Sequence, residues 1–144
     1  METKTIRKIK FKDGSEYKGN TVDGVPHGKG KMIYWRGTFY EGDFFYGELH
    51  GKGKFTDICG IYEGEWVNGL RSGKGKFISF KYGSVYEGDL VNEMWQGKGK
   101  FTSSEGSVYE GDFFDGKFHG KGKMTYPDGK VEEGNWKDGE FAGE

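Results

Sequence analysis

This sequence of 144 residues has little cysteine, little net charge and few apolar residues, and each of these shortages excludes a class of protein. The one cysteine, Cys59, cannot form an internal disulfide, so we expect a reducing, cytoplasmic location. The sequence contains no apolar run long enough to cross a bilayer, and no signal-peptide h-region follows Met1. A formal net charge of −1 removes the electrostatic argument for a nucleic-acid partner. Only 33% of the residues are apolar. The chain therefore has too little leucine, isoleucine and valine to fill a two-layer core.

Glycine and aromatic residues are abundant instead, and they recur with a fixed period. The chain has 28 glycines and 17% aromatic residues. A tyrosine followed two residues later by glycine recurs about every 23 residues, and a Gly-Lys-Gly-Lys tetrad begins eleven residues after each tyrosine. A period in this range indicates a repeat architecture. The tyrosines are Tyr17, Tyr40, Tyr62, Tyr86 and Tyr109, and the tetrads begin at Gly28, Gly51, Gly73, Gly97 and Gly120.

Each unit is predicted to be a β-hairpin. Residues 108–113 and 120–126 alternate in the two-residue period of a strand, and Asp115-Gly116 between them is a turn pair that tolerates positive φ. We therefore predict an all-β fold, an elongated and twisted single antiparallel sheet of tandem hairpins. The predicted organisation is one domain over residues 1–144, with a half repeat at 1–16, repeats starting at 17, 40, 62, 86 and 109, and an incomplete repeat at 132–144.

The period of two assigns side chains to faces. Tyr109, Gly111 and Phe113 share one face with the tetrad glycines, whereas the acidic residues of the first strand share the other face with the tetrad lysines. An aromatic ring that lies across a glycine on the neighbouring strand restores packing that glycine lacks. We therefore predict one face of rings over glycines, and one face on which acids and bases alternate.

The pattern Tyr-x-Gly, turn, His-Gly-x-Gly and Asp-Gly resembles the MORN (membrane occupation and recognition nexus) repeat, over residue 11 to about residue 143. The resemblance implies a non-enzymatic interaction module of the kind found in cytoskeletal scaffolds and at membrane contacts. It also implies a groove, lined by the aromatic residues of the sheet, into which a partner helix can lie.

Protein binding along the aromatic face is the first functional hypothesis, because an exposed aromatic strip normally marks an interaction site. For Trp95 two interpretations stay open, an exposed anchor for a partner or packing on the neighbouring loop. The predicted partner-binding residues are Tyr17, Tyr40, Phe44, Phe55, Tyr62, Trp66, Phe77, Tyr86, Trp95, Phe101, Tyr109 and Phe113.

A membrane-surface adaptor that binds anionic phospholipids or phosphoinositides is the alternative hypothesis. It ranks lower because the neighbouring acidic row neutralises most of the field of the lysines. Under either hypothesis the protein is expected in the cytoplasm, at the cytoskeleton or at the cytosolic face of a membrane. The residues for this alternative are Lys29, Lys31, Lys52, Lys54, Lys74, Lys76, Lys98, Lys100, Lys121 and Lys123.

No catalytic or cofactor site is predicted. His27, His50 and His119 occupy one loop position in different units. Equivalent residues are about 9–10 Å apart at about 4.8 Å per strand, too far for one metal ion, so the histidines are expected to shape the turns. The carboxylates form a periodic row matched by lysines, and Cys59 has no adjacent base, so neither acid–base nor thiol chemistry is supported.

Two departures from the repeat carry further expectations. Glu93 stands at a turn position that favours positive φ, which is expected to cost about 1–2 kcal/mol or to reshape the turn. Glu132 replaces the sixth tyrosine, and the last hairpin is predicted to lack its return strand. An unpaired strand over residues 133–137 would then favour an end-to-end homodimer, or indicate that the chain is part of a longer protein.

Overall fold

A computed structural model describes residues 4–144 as one open sheet of thirteen antiparallel strands, in which spatial order follows chain order. The predicted fold class is confirmed. Within residues 4–144 the one helical segment is a 3-10 turn at Trp35–Gly37, and no helix there has the length and apolarity that a membrane span requires. The strands are β1 (Lys4–Lys10), β2 (Glu16–Val22), β3 (Val25–Ile33), β4 (Phe39–Phe45), β5 (Glu48–Thr56), β6 (Gly60–Val67), β7 (Leu70–Ser79), β8 (Val85–Val91), β9 (Met94–Thr102), β10 (Val108–Phe114), β11 (Lys117–Thr125), β12 (Val131–Lys137) and β13 (Glu140–Gly143).

Each hairpin closes with two residues of positive φ, the geometry of a type I′ turn. Asp115 has φ 54° and Gly116 has φ 78°. The turns also contact one another, since the Gly47 N–H donates to the Pro26 carbonyl of the preceding hairpin at 2.7 Å. Successive hairpins are therefore tied together at their tips as well as along their strands. The turn pairs are Asp23-Gly24, Tyr46-Gly47, Asn68-Gly69, Asn92-Glu93, Asp115-Gly116 and Asp138-Gly139.

Glu93 keeps this turn geometry, with φ 78°. Its N–H donates to the Arg71 carbonyl at 2.8 Å, as in the turns that have glycine at this position. Its carboxylate accepts from the Arg71 N–H at 2.8 Å and from Nε at 2.5 Å. The expected strain of Glu93 is therefore offset by an ion pair to the preceding hairpin, and the turn is not reshaped.

The prediction that the last hairpin lacks its return strand is wrong. β13 pairs with β12, with Trp136 opposite Phe141 and Lys137 opposite Glu140. The positive-φ turn at Asp138-Gly139 folds the chain back, and the Trp136 and Phe141 rings then pack with centroids 5.3 Å apart. Residues 133–137 are therefore paired, and the C-terminal edge of the sheet is β13. An end-to-end dimer at this edge stays a prediction.

Five tyrosine rings lie flat over glycines of the next strand, as predicted. A Cβ added to Gly53 would lie 2.0 Å from the Tyr40 hydroxyl oxygen and 2.2 Å from Cζ, so only glycine fits beneath the ring. The tyrosines are 0–1% exposed although the protein has a single sheet. The five pairs are Tyr17 over Gly30, Tyr40 over Gly53, Tyr62 over Gly75, Tyr86 over Gly99 and Tyr109 over Gly122.

A second row of large side chains locks the tyrosines of adjacent hairpins together. The Phe44 ring packs edge-on against Tyr17 and Tyr40, with centroids 5.0 and 5.1 Å apart. Trp66 does the same between Tyr40 and Tyr62, at 5.5 and 5.2 Å. Edge-to-face contacts of this kind add about 0.5–1.5 kcal/mol each beyond the area they bury. The core is therefore one layer of large side chains on one side of the sheet, rings for the most part with Leu90 between Tyr62 and Tyr86, and we call this side the aromatic face.

Candidate functional site

The tyrosine hydroxyls have structural hydrogen-bond partners. The Tyr40 hydroxyl donates to the Asp43 carbonyl at 2.8 Å, and the other four tyrosines repeat this bond three residues on, at 2.5–2.9 Å. In each of these hairpins the pairing register of the two strands shifts at the accepting residue. The tyrosine hydroxyl therefore donates to a carbonyl at a point where the strand pairing is irregular. Burial raises the pKa of Tyr17, Tyr62 and Tyr109 to about 12 and also raises the pKa of Tyr40 and Tyr86.

On the opposite side, which we call the charged face, aspartates link neighbouring hairpins. One carboxylate oxygen of Asp89 accepts the Lys98 N–H at 3.0 Å, and the other pairs with the Lys74 ammonium of the preceding hairpin. Lys74 and the Lys98 N–H hold the pKa of Asp89 below its usual value. Asp112 is held in the same way by Lys98 and Lys121.

Asp43 makes the equivalent contacts with Lys29 and with the Lys52 N–H. Desolvation raises the pKa of this carboxyl, but the two contacts outweigh it and the pKa lies below its usual value. Three of the ten lysines assigned to lipid binding, Lys29, Lys74 and Lys98, are thus already paired with an aspartate of the next hairpin. Lipid binding by the lysine rows stays a prediction.

The twelve predicted partner-binding residues divide into two groups. Eight are core residues, at most 4% exposed, and their rings contribute no free surface: Tyr17, Tyr40, Phe44, Tyr62, Trp66, Tyr86, Tyr109 and Phe113. The other four, Phe55, Phe77, Trp95 and Phe101, are half-buried and pack on this core. Only the second group therefore presents accessible ring surface, while the first group fixes its position.

Trp95 packs on the core. Its ring stacks on Tyr86 with centroids 4.3 Å apart and planes within 3°, and it also contacts Phe101 and Phe113 at 5.8 and 6.1 Å. These contacts are with core rings of the sheet and not with the neighbouring loop, and a role of Trp95 as an anchor for a partner stays a prediction. Arg71 takes the corresponding place in the third hairpin, with its guanidinium 5.5 Å from the centre of the Tyr62 ring.

Sequence reasoning missed an exposed apolar row on the charged face, beside the hairpin turns. Phe45, Val67, Val91 and Phe114 are 47–56% exposed. Each stands five residues after a repeat tyrosine, so the same parity that assigns the glutamates to this face could have identified the row. The loops on the other long edge also carry exposed large side chains, namely Trp35, Ile58, Phe80 and Tyr82.

Two of the three histidines bond to the turn of the next hairpin. His27 Nδ1 accepts the Tyr46 N–H at 3.0 Å, and His50 Nδ1 accepts the Asn68 N–H at 3.3 Å. Among the residues that the structure describes, no three histidines, cysteines or acids are grouped to hold a metal ion. Cys59 is exposed, and its N–H donates to Asp57 in the same loop.

The family comparison agrees with this geometry of hairpins, turns and buried tyrosines. The MORN repeat model matches five segments that cover most of the chain, residues 17–34, 40–57, 62–83, 86–108 and 109–131. The chain belongs to the MORN repeat family. A search of curated proteins finds no match. The MORN repeat is a non-catalytic repeat module, and in this chain the repeats form an interaction module of six hairpins preceded by β1.

Proposed function

We propose that this MORN protein is a non-enzymatic, cytoplasmic scaffold that binds a partner helix or peptide along its aromatic face. Phe55, Phe77 and Phe101 form the contact strip. The supporting observation is their register: each lies opposite the buried tyrosines on both neighbouring strands, in one row across the sheet. They are half-buried, whereas Met32 and Met124, which continue the row at its two ends, are 8% exposed.

The spacing of the strip suits a helix. Successive phenylalanines are two strands apart, about 9.6 Å at about 4.8 Å per strand. A helix rises about 10.5 Å in seven residues, so apolar residues at positions i and i+7 would meet successive rings with a small tilt. The tyrosines beneath are held by edge-on contacts and hydroxyl hydrogen bonds, so the strip is rigid before binding.

The test begins with site-specific photocrosslinking from position 77, compared with position 91 on the charged face. The captured partner is then purified and titrated with the Phe77→Ser and Val91→Ser variants. Phe77 and Val91 are both accessible apolar side chains, so the second variant controls for a general loss of apolar surface. We expect Phe77→Ser to weaken binding about tenfold or more, as for a central interface residue, and Val91→Ser to change it little. Equal losses in the two variants would contradict binding on the aromatic face.

A further inference from the structure

One row of side chains crosses the charged face from β1 to β12, one residue per strand. From β3 onward lysine and glutamate alternate strictly along this row: Lys31, Glu41, Lys54, Glu63, Lys76, Glu87, Lys100, Glu110, Lys123 and Glu133. The alternation fails at the N-terminal end, where Lys8 lies opposite Lys18 and Lys18 lies opposite Lys31. Three ammonium groups therefore occupy consecutive strands.

Along the row a carboxylate faces this run only at its end, where Glu41 lies opposite Lys31. Like charges directly opposite each other destabilise a sheet. Within residues 4–144 none of Lys8, Lys18 and Lys31 forms an ion pair, although Lys31 Nζ lies 4.8 Å from the centre of the Phe39 ring. In the next four hairpins the position of Lys18 is occupied by glutamate, which separates the lysines on either side. The first hairpin alone among these five keeps a repulsive arrangement.

The three lysines line a groove of about 750 Å³ together with Lys29, which is paired with Asp43. Its backbone includes Gly19, Gly30 and Gly42, and Ile6 and Ile33 add apolar lining. Two carboxylates also line the groove, and both have other cations nearby. Glu16 lies 3.6 Å from Lys10, and Glu41 stands in the row between Lys31 and Lys54.

With four lysines and two glutamates, this groove has a larger excess of lysine than two other grooves on the same face. A groove of about 560 Å³ in the middle of the sheet is lined by three lysines and three glutamates, and another of about 520 Å³ has four lysines and three glutamates. In both, a glutamate of the row separates the lysines of neighbouring hairpins. The N-terminal groove is therefore distinguished by its charge, while its backbone is that of the repeat.

We propose that this groove binds a small polyanion that carries several phosphate groups. Three lysines on adjacent strands span about 10 Å, which matches a ligand with two or three charged groups. Each phosphate supplies about 1.5–2 negative charges, so such a ligand can neutralise the whole lysine run. Ammonium groups bind phosphate oxygens through charge-assisted hydrogen bonds, and the groove volume lies within the usual range of small-molecule sites.

Lys18→Glu is the decisive substitution, because it gives the first hairpin the charge pattern of its neighbours. Wild type and variant are titrated with tripolyphosphate by calorimetry, and both are melted without ligand at low salt. We expect the variant to bind about tenfold or more weakly, since it loses a charge-assisted contact and gains repulsion. We also expect its Tm without ligand to rise, because a carboxylate then lies between Lys8 and Lys31. Weaker binding together with higher stability separates a ligand site from a purely structural position.

Two further variants make the test specific to the groove. Lys117→Glu causes the same change in net charge at an exposed position in the fifth hairpin, and it should leave tripolyphosphate affinity within about twofold at moderate salt. Glu63→Lys creates a new run of three lysines with Lys54 and Lys76, and it should raise the stoichiometry from one ligand to two. Equal weakening by Lys18→Glu and Lys117→Glu would overturn the proposal in favour of diffuse attraction. An absence of wild-type binding at millimolar tripolyphosphate, or an unchanged stoichiometry in Glu63→Lys, would also overturn it.

The source of the phosphate groups is resolved by a vesicle experiment. Sedimentation with phosphatidylcholine vesicles that contain phosphatidylinositol 4,5-bisphosphate is compared with the tripolyphosphate titration. Vesicle binding that Lys18→Glu abolishes supports a lipid headgroup as the ligand, and binding of tripolyphosphate without vesicle binding supports a soluble polyanion. Vesicle binding that Lys18→Glu leaves unchanged would overturn the assignment to this groove.

Discussion

The two faces of the sheet are built by the same strands and differ in almost every energetic respect. On the aromatic face of β6, Tyr62 and Trp66 are 1% and 4% exposed, and Trp66 packs on Tyr62 and on Tyr40 of the preceding hairpin. On the charged face of the adjoining strands, Lys74 pairs with Asp89 while its side chain is 73% exposed. Burial of rings supplies most of the stability of a single sheet, whereas exposed ion pairs contribute little.

The difference implies a division of roles. A face that carries stability tolerates few changes, because each ring holds its neighbours. A face that contributes little stability is free to vary in charge, as the replacement of glutamate by Lys18 illustrates. The four predictions below test this comparison, from the largest expected effect to the smallest.

Removal of a core tyrosine should have the largest effect. Tyr62→Ala removes a ring that covers Gly75, packs on Trp66 and donates to the Glu65 carbonyl at 2.9 Å. We expect the free energy of unfolding to fall by about 3–5 kcal/mol, measured by urea denaturation. The matched variant Phe77→Ala removes a half-buried ring from the same row and should cost less. If both variants lost the same stability, the tyrosines would not form a distinct core.

Alkaline pH should unfold the protein through the same face. The pKa of Tyr17, Tyr62 and Tyr109 is raised to about 12 by burial, whereas an unfolded tyrosine ionises near pH 10. Their stabilisation is therefore complete below about pH 10 and is lost as the pH rises toward 12, at about 1.4 kcal/mol per tyrosine per pH unit. Circular dichroism and tyrosinate absorbance should change together. Gradual tyrosine ionisation in a protein that stays folded would contradict the buried arrangement.

Arg71 and Glu93 form an ion pair on the mostly apolar aromatic face. Removal of this pair should have an intermediate effect on stability. Arg71→Ala leaves Glu93 at positive φ without its guanidinium partner, with only the backbone N–H of residue 71 still donating to it, so we expect a loss of about 1–2 kcal/mol in urea denaturation. Glu93→Gly removes both the strain and the pair, and its effect should be smaller. In the Glu93→Gly background Arg71→Ala should cost less than in wild type. Additive losses would show that the two residues are not coupled.

A single ion pair on the charged face should have the smallest effect. Lys74→Ala removes the partner of Asp89 and should lower the free energy of unfolding by at most about 1 kcal/mol, less in high salt. The pKa of Asp89 is lowered by Lys74 and by the Lys98 N–H, so this stabilisation is present above about pH 4 and is lost as the pH falls below it. A loss as large as that of Tyr62→Ala would overturn the comparison between the faces.

Most of the fold could be predicted because the repeat is local. The tyrosine period, the Asp-Gly and Asn-Gly turns and the alternation of faces each involve residues near in sequence, and the structure confirms them. The last hairpin was mispredicted because β13 has only four residues, and its pairing depends on the contact between Trp136 and Phe141. The solvent exposure of each aromatic residue also could not be predicted from the repeat pattern. Tyr62 and Phe77 look alike in sequence, and only packing by the neighbouring hairpin separates the buried ring from the half-buried one.

The sequence by itself determined the hairpins, their order and the side on which each residue lies, because these follow from turn chemistry and from the period of two. The tertiary structure decided how far each ring is covered, which acid pairs with which base, and where the charge row is unbalanced. Those properties depend on contacts between hairpins about 23 residues apart, and the register between them is fixed only when the whole sheet has formed.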